Sequence, residues 1–377
     1  MNVGRLHACL YLIKAEYDEF EIVKKLKNLH DSLKQSISQP TEETSKNFQE
    51  HYSNLFNALS ESWSNFESPT RIKAYDDIKI SSKIGQGLRD RIEKIISDNN
   101  ITPVSALKGL SGLVDKIEKF NSTITRVIND FEFLNLEYED IESGEYEIGI
   151  SFPLEIIKSN LEGISKETNE LDRVFKTFKE IAKDDISSIK IRSISTTDLQ
   201  VFLDSAPLVA TLIATSLERI VALYKNILEI KKIKNKLVAK KAPKDVINPL
   251  EKHEAEIMKM GIKDLSENLV DEFYANKDDG RKNELKVALG IALRYLAEKI
   301  EHGAIFDVRA GEPEEPESTK GEEETPQYKK AKNEYLKEMK RINQINSKGR
   351  SIAELQKGNI ALLLLKPKKK NSENKKE

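Results

Sequence analysis

The residues that could do chemistry are few and scattered. "IGQGLRDRIEKII" (84–96) sets two glycines before a helix, and a phosphate could dock on the backbone N–H groups of such an N-terminus. No Walker lysine and no third glycine follow, so the competing reading is a loop that needs permissive backbone angles. "KHEAEIMK" (252–259) places His253, Glu254 and Glu256 at i, i+1 and i+3. Zinc-dependent hydrolysis needs two histidines at i and i+4 with a glutamate base, and that spacing is missing. His7 and Cys9 stand two apart, and residues at i and i+2 of a helix do not face each other, which reads as a buried, inert thiol. The acid pairs Asp76–Asp77, Asp184–Asp185 and Asp278–Asp279 fall at element boundaries, where aspartate caps and turns. An active site assembled from scattered residues would draw on charges near strand ends: Arg192, Asp198, Asp204 and Arg219. Such charges are ordinarily solvated. No catalytic, cofactor-binding or metal-ligating residue is assigned, and no cofactor is implied.

One group of side chains offers contact with a partner or lipid. The end of the chain, "KPKKKNSENKKE", carries Lys366, Lys368, Lys369, Lys370, Lys375 and Lys376 against two glutamates. Each lysine near an anionic surface contributes about 1 kcal/mol. The apolar run "IALLLL" directly precedes them, so residues 361–376 form a weak tether for a membrane surface or nucleic acid. No aromatic residues interleave for base stacking, and a solubilising tail is the plainer reading.

The elements that must position these residues are mostly helical. Charged residues make up 33% of 377, aromatics 7%, with only 16 glycines and 11 prolines, the composition of a long-helix protein. The net charge of −2 supplies no global field for nucleic acid or anionic lipid. A single cysteine excludes an internal disulfide and fits a reducing, cytoplasmic compartment. The N-terminal apolar run is broken by Lys14 and lacks a cleavage site, so it reads as a helix rather than a signal peptide.

Spacing divides the chain into four regions. Residues 1–66 read as a helical hairpin, one helix over 5–38 and a second opened by Thr41, Glu42 and Glu43. Residues 67–142 are helical, with a long helix over 103–136 whose stripe from Leu107 to Phe131 has one polar break, Asn121. Residues 143–308 hold a central α+β unit. Tyr146, Ile148, Ile150 and Phe152 alternate with polar residues as in a half-buried strand. A stripe from Leu154 to Ala182, with Thr168 as its polar member, predicts a helix. "DDISSIKIRSIS", with Ile189, Ile191 and Ser193 on one face and Lys190 and Arg192 on the other, and "LQVFLDS" predict a strand hairpin across the turn "TTD". A helix follows from Pro207 to about Lys240. Its first 13 residues from Ser205 are uncharged, too few for the ~20 of a membrane span, so it reads as a core helix rather than a transmembrane segment. Helices over about 250–275 and 280–302 come next, and a short strand at 304–308 could extend the sheet. Residues 309–377 read as a disordered acidic linker, a short charged helix over 327–346 and the basic tail, leaving a fold that ends near Val308. The fold class is thus mainly α with a small central β-α-β-β-α unit.

"IGQGLRDRIEKIISDNNITPVSAL", "GEYEIGISFPLEII" and the run from "SIKIRSISTTDLQVFLDS" to "NILEIKKIKNKL" resemble a group of largely uncharacterised bacterial helical proteins with such a central unit. The resemblance spans about residues 80–240 and is architectural. It implies a bacterial cytoplasmic setting and carries no catalytic residue.

These readings converge on a non-enzymatic interaction or scaffold protein that associates with itself or another protein. Its long stripes can close by bundling within one chain or serve as coiled-coil-like seams between chains, the narrow stripe of 154–182 above all, with Asn121 and Thr168 setting register.

Overall fold

Glu21 interrupts the first predicted helix. In a computed structural model the stretch read as one helix is two, α1 (Val3–Glu19) and α2 (Ile22–Ser38), and Glu21 takes the left-handed conformation at φ 48°. The structure describes the chain except residues 1, 100, 140, 158–159, 184–189, 196–198, 241–242, 276–277, 317–325 and 364–377. It has two compact units, residues 1–140 and 141–377.

The first unit adds α3 (Glu42–Glu61), α4 (Pro69–Asp77), α5 (Gly85–Ser97) and α6 (Pro103–Phe133). Thr41 opens α3 as the sequence predicts, its hydroxyl accepting from the Thr44 N–H at 3.1 Å. The predicted split at residue 66 is not a split in the core. Ile13, Leu26, Leu29, Leu55, Leu59, Leu88, Leu110 and Ile117 are buried in one cluster drawn from both regions. The stripe expected to face another chain is spent here: Leu110, Ile117, Ile124 and Ile128 of α6 are buried within their own unit.

Asn121, the polar break in that stripe, has a buried amide oxygen with no hydrogen-bond partner among the described residues. An unmet buried acceptor loses its water without return. Asn121→Leu is therefore expected to raise the unit's stability by about 1 kcal/mol, read as a higher urea midpoint; a lower midpoint would show the amide to be needed.

Glu16 pins α1 to the turn after α3. Its carboxylate accepts the Ser64 N–H at 2.6 Å and the Ser64 hydroxyl at 3.0 Å. Burial pushes this carboxyl above its ordinary 4.5, against the hydrogen bonds from Ser64 that pull it down. The folded unit then binds this proton more tightly than the unfolded chain. Its contribution is complete below pH 4.5 and is lost as pH rises through the raised value. Compared with wild type, Glu16→Gln should remove that downward slope; parallel stability–pH curves would count against it.

The second unit begins with β1 (Tyr146–Phe152), α7 (Leu161–Ile181), β2 (Ile191–Ser195), β3 (Leu199–Asp204) and α8 (Pro207–Ala239). It continues with α9 (Lys244–Phe273), α10 (Asp279–Glu301), β4 (Ile305–Ala310) and α11 (Pro326–Leu363). The fold is mainly α with a small antiparallel sheet, ordered β2-β3-β1-β4. β2 and β3 pair as the predicted hairpin, and β4 adds to the sheet beside β1.

One sheet face is apolar: Tyr146, Ile148, Ile150 and Phe152 lie level with Leu199, Val201 and Leu203 on one side and with Phe306 and Val308 on the other. These join Phe175 and Phe178 of α7, Leu212 and Leu217 of α8, and Leu289 and Leu293 of α10 in one core. The later part of the α7 stripe, from Leu171 to Ala182, is thus also spent inside its unit, whereas Leu161 at its start is exposed, and Thr168 bonds back to the Ile164 carbonyl at 2.9 Å rather than across a seam. α8 is long and apolar enough to cross a membrane by length and composition, yet 61% of that window is buried in the fold. It works as the core helix the sequence predicts.

Three predictions for this unit need correction. β1 is not half-buried; all seven residues are buried, Glu147 and Ser151 to 1% exposure. Ser193 does not share a face with Ile191, because the β2–β3 register shifts between them; Ile189 lies outside the described residues. The fold does not end at Val308: β4 runs to Ala310, and the short charged helix is the 38-residue α11, which buries Ile342 and Ile345 in the core. Two isoleucines three apart on a charged helix suffice to dock it, although its composition reads as solvated.

Candidate functional site

Arg192 sits where the β2 register slips. Ile191 is level with Leu203 and Ser193 with Phe202, so Arg192 is the extra residue of a β-bulge. Bulges re-aim a side chain. Here the guanidinium turns onto the neighbouring strand ends, donating from Nε to Asp204 at 2.8 Å and from Nη2 to Glu145. Burial works to lower the Arg192 guanidinium, and the hydrogen bonds to Glu145 and Asp204 outweigh it, leaving it above its ordinary value.

Glu147 extends this pair into a chain of charges. It is level with Asp204 on β3 and Arg309 on β4. Arg309 donates to it at 2.6 Å, and Arg192 lies 3.9 Å from its other oxygen. Arg309 also stands 3.6 Å from fully buried Asp307. Two guanidiniums thus serve four carboxylates across all four strands. Water is largely shut out of the Glu147 end, so these contacts are less screened than surface pairs.

The outer end of this network opens on a cleft of about 270 Å³. Ile148, Phe175, Pro207 and Val209 form its apolar wall, and Lys179, Lys190, Arg192, Glu145 and Asp204 its polar one. Tyr146 stands in it with its hydroxyl donating to Glu338 of α11; burial first, then that carboxylate, pushes the phenol up to about 12. An apolar wall beside a few convergent polar groups is the form of a ligand or peptide site. A second cleft of about 310 Å³ lies at the start of α7. There buried Glu167 accepts from the Tyr295 hydroxyl and the Lys299 ammonium, both at 2.7 Å.

No protein-family model, curated protein or solved structure matches the chain. The site is therefore read from its own atoms.

Of the four strand-end charges, Arg192 and Asp204 come together. Arg219 does not: it points to Glu272 of α9 at 3.3 Å. Asp198 and the tail lysines Lys366, Lys368, Lys369, Lys370, Lys375 and Lys376 lie outside the described residues. The "IGQG" glycines serve the backbone. Gly85 has φ +39°, and a Cβ on Gly87 would lie 1.9 Å from the Ser81 carbonyl oxygen. The Gln86 N–H at this helix start is already accepted by Asn65 at 2.6 Å. Asn65 also donates to the Leu59 and Ser60 carbonyls at the end of α3, so one side chain caps two helices.

His7 brings its Nδ1 within 3.0 Å of the Leu136 carbonyl, so that nitrogen carries the proton, and Cys9 is buried. Asp278 caps α10, accepting from the Arg281 N–H at 3.1 Å, and Asp76 accepts from Ser81. Asp184 and Asp185 lie outside the described residues. His253 is exposed on α9. Sequence reasoning missed Glu145, Glu147 and Arg309. The polar positions of β1 held a signal for the two glutamates. Arg309 stands beside the acidic stretch, whose composition masks it.

Proposed function

We propose that the chain is a non-enzymatic interaction or scaffold protein of a bacterial cytoplasm, and that its partner is another copy of itself. In the first cleft Arg192 is held by Glu145 and Asp204, and in the second Lys299 is held by Glu167, an arrangement suited to recognition more than to proton or group transfer. The stripe of α6 and the later part of the α7 stripe are occupied within the chain, which directs association to other surfaces.

The observation that carries the reading is an apolar pair held in solvent one turn apart. Val287 and Ile291 of α10 are 66% and 61% exposed. Single exposed apolar residues are ordinary, whereas neighbours sharing one helical face mark a contact surface. Light scattering behind size exclusion on the full chain tests this. A discrete multiple of 42.9 kDa supports self-association; a constant 42.9 kDa up to several hundred micromolar overturns it.

A further inference from the structure

We propose that two copies of the chain pair through the exposed face of α10, antiparallel, about a two-fold axis level with residue 289. The inference rests on the self-association reading above and names its surface.

Four exposed residues of α10 are spaced symmetrically along it. Leu285, Leu289, Leu293 and Leu296 are buried in the unit. On the opposite face stand Glu284, Val287, Ile291 and Arg294, all exposed. These four positions are palindromic about residue 289. Val287 and Ile291 each lie two residues from it, and Glu284 and Arg294 each lie five. At 1.5 Å per residue the charged pair stands about 7.5 Å to either side of the centre.

A two-fold axis makes every contact occur twice. In the antiparallel arrangement Val287 meets the partner's Ile291, and Glu284 meets the partner's Arg294. The apolar centre is closed at both ends by opposite charges. A parallel arrangement would set glutamate against glutamate and arginine against arginine, so the charges select the antiparallel one. Arg294 has no ion-pair partner among the described residues. Glu284 holds Arg281 within the chain, but that guanidinium is also gripped by Glu180 at 2.6 and 2.8 Å. A carboxylate has capacity for a second cation at its outer oxygen.

Two apolar side chains per copy cover far less than the ~1,200–2,000 Å² of a standard interface, so the pairing should be weak, of micromolar order. The test is sedimentation velocity on the full chain from about 10 to 500 µM, a range chosen to span such a constant. Wild type should approach twice 42.9 kDa as concentration rises. Arg294→Glu sets two like charges together at both ends and should weaken association by about tenfold or more. Adding Glu284→Arg to it restores opposite charges and should recover most of the loss. All four positions are exposed, so circular dichroism should be unchanged in each variant.

A wild-type oligomer indifferent to both Arg294→Glu and Ile291→Glu overturns the α10 seam and leaves self-association standing. Weakening by Arg294→Glu without recovery in the charge swap overturns the antiparallel register. A wild-type chain at 42.9 kDa throughout overturns the seam and the self-association reading together.

Discussion

Arg309→Ala should cost the second unit about 3–5 kcal/mol, the range for removing one partner of a buried ion pair. Glu147 is 1% exposed and Asp307 is fully buried. With the guanidinium gone, Glu147 loses its 2.6 Å donor, and Arg192, 3.9 Å away, is already committed to Glu145 and Asp204. The loss comes from stranding charge away from water more than from the pair's own strength. Arg309→Lys should recover part of it, since one ammonium can approach Glu147 but lacks the fork that spans both carboxylates. Urea unfolding followed by circular dichroism reads both variants. A loss below about 1 kcal/mol for Arg309→Ala would mean the network is hydrated like a surface pair.

Ending the chain at Val308 should abolish cooperative unfolding of the second unit. The cut removes Arg309 and the whole of α11. Ile342 and Ile345 leave the core, where both are fully buried. So do the Glu338 acceptor of the Tyr146 hydroxyl and the Lys348–Glu218 ion pair. Deleting a buried isoleucine to alanine already costs about 2–5 kcal/mol, and removing the helix uncovers its neighbours as well. Against a total of about 5–15 kcal/mol, that sum leaves little. The first unit has its own core and should melt as before. Hydrogen exchange would separate the two: protection kept in α1–α6 and lost in β1, β3 and α8. Full protection of the sheet in the shortened chain would refute the structural role of α11.

What could be read from the sequence depended on how local the signal was. The period-2 run of β1, the β2–β3 hairpin and the apolar start of α8 are written within ten or so residues each, and each lies where its spacing places it. Arg192 and Asp204, named for their strand-end positions, do meet. The Glu147–Arg309 pair is invisible to such a reading because its members are 162 residues apart. Glu21 breaks a helix without glycine or proline, so no punctuation marks it. α11 was misjudged because burial of a helix depends on which few residues face the core, and composition averages them away.

The place of β1 in the sheet sets a schedule. Its partner β4 follows it by about 160 residues. At a synthesis rate of roughly 5–20 residues per second, one edge of β1 waits about 8–30 s after it leaves the ribosome before its neighbour exists. "YEIGISF" spends that interval with its β4 edge open, a strand rich in aromatic and β-branched residues, the kind of edge that joins other chains. Glu147 is the charge that interrupts it. The carboxylate later held by Arg309 is a charge of the kind that opposes strand-to-strand addition while that edge waits.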